Sequence, residues 1–505
     1  MNNNFYHLCQ QRMGSGCFLR DSDGQELASY EDLDHYSARY ANYFVDLGLL
    51  PGDRVLVQVE KSAHNLFIYF ACLRAGLIYL PLNTAYRQDE VQYFLNDAKP
   101  ALVICAPENE SLTQNLIAQD HENTILMTID ADGRSNQDKL LLSHSKTFTT
   151  VSMNADDTAV ILYTSGTTGQ PKGAMITHGN LADNALTLLE AWDWQKDDIM
   201  LHVLPIFHIH GLFVATHLPV LNASPIIFLP KFDVTTIIHN LTRASVYMGV
   251  PTHYVRLLAD NRLDKEGCEQ MRLFTSGSAP LLSQTFSAFH QRTGHTIVER
   301  YGMTETGMNT SNPVHGERKP GTVGPALPGV NLRIVNDKGM EVGTGQTGHL
   351  QIKGNNVFKG YWRKPEKTRE EFAADGYFRT GDLASMDDEG YFSIVGRNKD
   401  MIITGGLNVY PKELESFIDD IAGVQESAVI GIPDAEFGEA VVAVIVSEDG
   451  SLNAQDIQQQ MKLGLANFKV AKQVFFVDSL PRNTMGKVQK NILREKYAAS
   501  GKPQC

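Results

Sequence analysis

The sequence predicts an α/β protein. Its expected form is a large N-terminal domain of two layered α/β subdomains plus a small β-barrel, followed by a small, mobile α+β C-terminal domain. Three observations point there. Short apolar runs alternate with helical patterns through the first half. After about Pro328 the texture changes to short strands between Gly- and Asp-rich turns. From Pro411 the pattern is helix, strand, strand, helix.

In order, RVLVQVE (54–60), ALVICA (101–106), TAVILYTSG (158–166) and SPIIFLP (224–230) read as buried strands. Residues 28–49 read as a helix ending near Gly48, and 62–76 as another. NLRIVND, GHLQIKG and YFSIVGR read as antiparallel strands. The glycines at 343, 345 and 348 match G-x-G-x-x-G, but they lie between two strands and predict a hairpin turn, not a nucleotide fingerprint. GRNKD (396–400) marks the expected boundary, giving domains 1–398 and 399–505.

A chain of 505 residues suits two or three domains. Its formal net charge of −14 argues against nucleic acid and anionic lipid as partners. The six cysteines form no C-x-x-C pair, which fits reduced thiols in a cytoplasmic enzyme. The N-terminus lacks the apolar core of a signal peptide. The longest apolar stretch, 211–230, is interrupted by His217, Asn222, Ser224 and two internal prolines, so a buried helix, turn and strand is expected instead of a membrane span.

Four motifs carry chemistry. YTSGTTGQPKG (163–173) follows a core strand. Its glycines let backbone N–H groups approach phosphate oxygens, while Thr164, Ser165, Thr167, Thr168 and Lys172 complete an anion cradle. RYGMTET (300–306) delivers Tyr301 and Gly302 to a turn bearing Thr304 and Glu305, a carboxylate suited to Mg²⁺ beside substrate phosphates. In YFRTGDL (377–383) Asp382 can accept from a ribose diol, with Arg397 of GRNKD helping from the other side. PRNTMGK (481–487) sets Lys487 on a glycine turn. Taken singly, the last three also fit a helix start, a turn Asp with a surface Arg, and a solvated loop lysine.

Together and in this order, the four motifs resemble the adenylate-forming enzymes: acyl-CoA synthetases, luciferase and peptide-synthetase adenylation domains. The resemblance covers essentially the whole chain. It implies that 163–173, including Gly166 and Gly169, binds the β- and γ-phosphates of ATP, with Thr164 and Glu305 at Mg²⁺. It places Gly277, Ser278, Ala279, Arg300 and Tyr301 around adenine, with Gly302 and Thr304 in the same nucleotide site. Asp382 and Arg397 fall at the ribose and His210 at the acyl pocket. It implies that Lys487 bridges the acyl carboxylate and the α-phosphate, that Lys399 is the hinge, and that Gly406 lines the passage for coenzyme A.

LPIFHIHGLFVATHLPVL, MGVPTHYVRLL, RYGMTETGMNTSNP and LPRNTMGKVQKNILR resemble malonyl-CoA synthetases in particular. A dicarboxylate needs a partner for its second charge. Arg256, one helical turn past the expected N-cap Thr252, is the first candidate, Arg300 the second, and Met308 is a candidate floor of the pocket. A synthetase for another short, medium-chain or aryl acid, and an inactive nucleotide-binding regulator, are the alternatives. Lys487 also invites acetylation, with a lysine acetyltransferase and a deacetylase as partners.

Overall fold

The computed structural model describes residues 2–121, 123–164, 171–404, 407–434, 437–447, 450, 452–483 and 486–498. Four sheets form within them. The first runs Gly360–Tyr361, Lys172–Thr177, Thr158–Thr164, Ile78–Pro81, Arg54–Gln58, Leu102–Cys105, Ile125–Thr128. Its last five strands are mutually parallel. The second runs Gly307–Ser311, Val298–Met303, Leu273–Ser276, Val246–Gly249, Met200–His202, Ile226–Phe228, Cys17–Arg20, Glu26–Ser29, parallel except for the pair at each edge. Parallel strands covered by helices on both faces read as unbroken apolar runs, and Ile78–Pro81, Leu102–Cys105 and Ile226–Phe228 do.

Helix Tyr30–Asp46 starts at a capping box of Ser29 and Asp32 and buries Tyr30, Leu33, Tyr40, Ala41 and Phe44 along one stripe. Helix Ala63–Ala75 is apolar all round and buried throughout its last eleven residues, because it lies between layers. It stops at Gly76, whose left-handed backbone (φ 71°) accommodates the end of the helix. One core cluster joins strands of both sheets through this helix, His178–Ala191 and Ala215–Asn222. The 211–230 stretch is a π-helical turn (His210–Val214), that helix and a strand. No helix among the described residues is long and apolar enough to cross a membrane.

The strands expected in a small barrel form a four-stranded antiparallel sheet, Asn331–Val335, Gly348–Lys353, Phe378–Met386, Phe392–Arg397. Residues 343, 345 and 348 fall between its first two strands or at the start of the second, as a hairpin requires. The C-terminal part holds a five-stranded sheet built on the long hairpin Val424–Asp434 and Gly438–Ser447, packed by helices Pro411–Asp419, Ala454–Gly464 and Lys490–Ala498. Cys9, Cys17, Cys72, Cys105 and Cys268 are free thiols. The fold thus places the carboxyl ends of two parallel sheets, the small sheet and the C-terminal part around one crevice, where ligands of open α/β sheets bind.

Candidate active site

One wall comes from the antiparallel pair Phe378–Met386 and Phe392–Arg397. Asp382 stands directly opposite Arg397 in the register. Arg397 Nε lies 3.0 Å from Asp382 Oδ1, and the Tyr301 hydroxyl donates to Oδ2 at 2.6 Å. Asp382 is buried, and its negative charge is the main reason the Arg397 pKa is raised. Each carboxylate oxygen has a second lone pair, so a diol can still be held here.

The second wall is built on the hairpin Thr158–Thr164 and Lys172–Thr177, with Thr164 paired to Lys172. Ser165, Gly166, Thr167, Thr168 and Gly169 lie outside the described residues. The Thr164 hydroxyl donates to Glu305 Oε1 at 3.4 Å and the Tyr361 hydroxyl to the same oxygen at 3.0 Å. Burial pushes the Glu305 carboxyl up from its ordinary range. Lys172 Nζ lies 4.3 Å from the centre of the Tyr361 ring and 3.4 Å from Glu371 Oε1. Among the described residues no group of three or more His, Cys, Asp or Glu could hold a metal alone. One carboxylate and one hydroxyl fit Mg²⁺, which takes few protein ligands and completes its shell with phosphates and water.

The third wall follows the strand Leu273–Ser276. Gly277 passes so close to the Arg300 guanidinium that a Cβ there would displace the tip of that side chain. Ser278 has a left-handed backbone (φ 69°), and Ala279 is half-buried beside it. Arg300 is buried, with Nε and Nη2 lacking any hydrogen-bond partner, and burial lowers its pKa to about 10. His210 is also buried, and neither ring nitrogen has a partner. Burial, then the charge of Arg300, holds it neutral. Thr304 borders an apolar cavity lined by Ile209, Phe213 and Leu218. Gly302 is half-buried, and Met308 is a core residue packed at its back.

Two expectations are corrected at helix Pro251–Leu258. Its N-cap is Val250, and Pro251 takes the first helical position, where its missing N–H is no loss; Thr252 is second. Arg256 is exposed, its guanidinium 5.8 Å from the Phe232 ring centre. The helix buries Tyr254 and Leu257, and that face turns residue 256 outward. The buried, unpartnered guanidinium is therefore that of Arg300, not Arg256.

The C-terminal part closes the crevice. Asn483 and Lys487 bond twice, Asn483 N to Lys487 O and Lys487 N to Asn483 Oδ1, both at 2.9 Å. A Cβ on Gly486 would sit 3.2 Å from Thr252 Oγ1, so this turn rests on the start of helix Pro251–Leu258. Lys487 keeps contact with solvent yet stands in a crowded cleft. Desolvation, then the charge of Arg397, lowers its pKa, while Asp382 and Glu305 pull the other way. Burial and the Lys487 charge depress His208 to about 4. Gln284 Nε2 also donates to Asp419 O at 2.7 Å across the same seam. Lys399 is exposed on the turn Asn398–Asp400, whose Asp400 accepts from Arg494 at 2.8 Å. Gly406 lies outside the described residues.

The site thus unites Thr164, Lys172, Glu305, Tyr301, Asp382, Arg397 and Lys487. Sequence reading missed Tyr361, His208 and Glu371. Tyr361 and Glu371 carry no local signal, since their partners lie far away in the chain. His208 does carry one, because it stands two residues from His210 in the same FHIH run.

Residues 6–362 match the model of the AMP-binding enzyme family, and 413–487 match that of the AMP-binding enzyme C-terminal domain. A malonate–CoA ligase of Arabidopsis thaliana is 33% identical, over 95% of this chain and 82% of its own length. A feruloyl-CoA synthase of Amycolatopsis is also 33% identical, over 94% of this chain and 95% of its own. ATP-bound MatB from Rhodopseudomonas palustris superposes with a TM-score of 0.97 at 49% identity, covering 99% of this chain and 100% of that one. This chain belongs to the AMP-binding enzyme family.

Proposed function

We propose that the chain is an AMP-forming acid–CoA ligase that converts malonate, ATP and CoA to malonyl-CoA, AMP and diphosphate through a malonyl-adenylate. The observation that carries the choice of acid is Arg300. It is buried beside His210 with two guanidinium nitrogens unbonded. A dicarboxylate supplies the missing acceptor through its distal charge, in the forked geometry that guanidinium favours. A monocarboxylate leaves that cation unpaired, which is costly.

The roles of the other groups follow from charge. A carboxylate attacking a polyphosphate meets repulsion. Lys487, at the seam between the ribose and acyl walls, offsets it at the attacking carboxylate and the α-phosphate. Lys172 and the 163–173 loop hold the outer phosphates. Mg²⁺, held by Glu305 and the Thr164 hydroxyl together with those phosphates, would offset further charge there. Asp382, Tyr301 and Arg397 fix the ribose, and Gly277 to Ala279 border the adenine. The closed C-terminal part keeps water from the mixed anhydride. It then swings about Lys399, at a division between 1–398 and 399–505, so that the CoA thiol enters along Gly406. The reading includes a cytoplasmic enzyme and acetylation at Lys487, whose solvent contact supports it. Full activity after stoichiometric acetylation would remove that last element.

The test is acid-dependent ATP–pyrophosphate exchange over malonate, propionate, octanoate and ferulate, with Arg300→Met alongside wild type. Malonate is expected to be preferred, and the variant to lose about 30-fold or more of its malonate over propionate preference. Preference for ferulate, the acid named for the Amycolatopsis relative, would overturn the choice of acid. Equal loss on both acids in Arg300→Met would move the distal carboxylate elsewhere.

A further inference from the structure

Lys61 lies outside the site described above, on the turn between strand Arg54–Gln58 of the first sheet and helix Ala63–Ala75. It reaches across to the second sheet. Its Nζ is 2.9 Å from His202 Nδ1, 3.0 Å from His202 O and 4.4 Å from the Phe228 ring centre. His202 ends strand Met200–His202 and is fully buried. Its other nitrogen, Nε2, is 2.9 Å from the carbonyl oxygen of Gly211.

That carbonyl can only accept, so His202 carries its proton on Nε2 and presents a lone pair at Nδ1. Only a donor can then satisfy Nδ1, and Lys61 is that donor. The Thr216 hydroxyl donates to the same Gly211 oxygen at 2.8 Å, and its own oxygen lies 3.4 Å from His202 Nε2, a longer contact that can only accept while that hydroxyl proton is used and so leaves the proton on Nε2. Burial disfavours the ammonium form of Lys61. A neutral amine still has an N–H for each of the two acceptors.

Gly211 is the second residue of the π-helical turn His210–Val214, next to His210. A Cβ on it would collide with the carbonyl of Pro205, so the turn is pressed onto the 203–209 loop and has little room to shift. His210 itself has no hydrogen bond to hold its ring. Its place is set by the backbone of the turn, and that backbone is gripped at Gly211.

We propose that Lys61 and His202 form a positioning relay that fixes the Gly211 carbonyl and thereby sets His210 at the acyl site. The relay ties the first sheet to the second at the point where the acid is received. It rests on the acid–CoA ligase reading above, and neither residue touches substrate or nucleotide in it.

The experiment combines tautomer-sensitive ¹⁵N NMR of the histidines with steady-state kinetics of wild type, Lys61→Met, Lys61→Gln and His202→Gln. In the wild type, His202 is expected as the neutral Nε2–H form with a slowly exchanging proton. In Lys61→Met that proton should exchange faster, and KM for malonate should rise about tenfold, the loss of roughly one buried hydrogen bond, with KM for ATP within about twofold. Lys61→Gln keeps an N–H donor and should recover most of the loss. His202→Gln keeps an N–H facing Gly211 and covers the case in which Lys61→Met fails to fold; its malonate KM should stay within about threefold. A wild-type Nδ1–H tautomer, an unchanged malonate KM in Lys61→Met, or equal rises for malonate and ATP in Lys61→Met and Lys61→Gln would each overturn the relay. Should the wild type not use malonate, the ligase reading loses its acid, while the tautomer and exchange rate of His202 still decide the relay.

Discussion

In the proposed reading Asp382 belongs to a ribose wall and Arg300 to an acyl wall, and the two differ in how their polar groups are paired. On the ribose wall, Tyr301 and Arg397 both bond to Asp382. On the acyl wall, Arg300, His210 and His208 hold buried nitrogens with no partner. Groups already paired keep their geometry without a ligand, so the ribose wall is preorganised. Unpaired buried groups each carry a desolvation penalty of about 1–3 kcal/mol that a matching ligand relieves. The first arrangement suits a cosubstrate common to a whole family. The second suits selection among acids.

Lys487 is the group that faces both walls, so replacing it should have the largest effect. Lys487→Ala is expected to slow adenylate formation by about 10²–10³ or more. Melting should be unchanged, and preformed malonyl-adenylate should still yield the thioester. Normal pyrophosphate exchange in this variant would place the bridging charge elsewhere.

Asp382→Asn probes the paired wall. It removes the charge facing Arg397, and kcat/KM for ATP should fall about 10–100-fold. The ratio of malonate to propionate turnover should not move. A shift in that ratio would mean that the two walls are coupled.

Next comes the strand that carries Arg300. Glu299 points the opposite way from Arg300, accepts from Leu281 N at 3.0 Å and is pushed up to about 7 by burial. In the unfolded chain its carboxyl loses its proton near the ordinary value of 4.5. The folded protein therefore binds the extra proton between those values, and Glu299 contributes stability at low pH that is lost as pH rises through about 7. Glu299→Gln should flatten this fall and stabilise the protein at pH 8, by the order of 1–3 kcal/mol. Thermal melting from pH 5 to pH 8 reads it. Parallel pH curves for variant and wild type would show that Glu299 titrates normally.

The smallest effect is expected at Arg256. Its guanidinium is exposed over Phe232, so Arg256→Ala should change malonate kcat/KM by less than about threefold. A loss as large as that of Arg300→Met would return the distal carboxylate to this helix.

The two walls were not equally legible in the sequence. Asp382 and Arg397 sit in local motifs on two adjacent strands of an antiparallel sheet, and sheet register alone brings them together. Thr164 and Lys172 are joined by the same logic of a hairpin. Tyr361 meets Glu305 only because the short strand Gly360–Tyr361 adds to the edge of the first sheet, a pairing between distant segments that no local pattern announces. Arg256 and Arg300 differ in burial, and a different signal carries that difference. Spacing from Thr252 does not show which side of that helix faces inward, whereas the apolar pair Tyr254 and Leu257 does. The burial of Arg300 follows from its position in a strand whose neighbours Val298 and Glu299 are also buried.

Ser278 shows what such a site asks of the chain as a whole. A residue with a side chain in a left-handed backbone gives up about 1–2 kcal/mol relative to glycine. Glycine stands next door at 277, so the chain has room for it in this turn and yet keeps a hydroxyl at 278. Folding alone therefore does not explain this serine, and in the proposed reading the strain is kept at the adenine edge of the site. Selection of this protein for heat resistance without selection for turnover would drift toward glycine at 278. The resulting enzymes would rank higher by melting temperature than by activity, because part of their stability would come from the turn that the proposal sets against adenine.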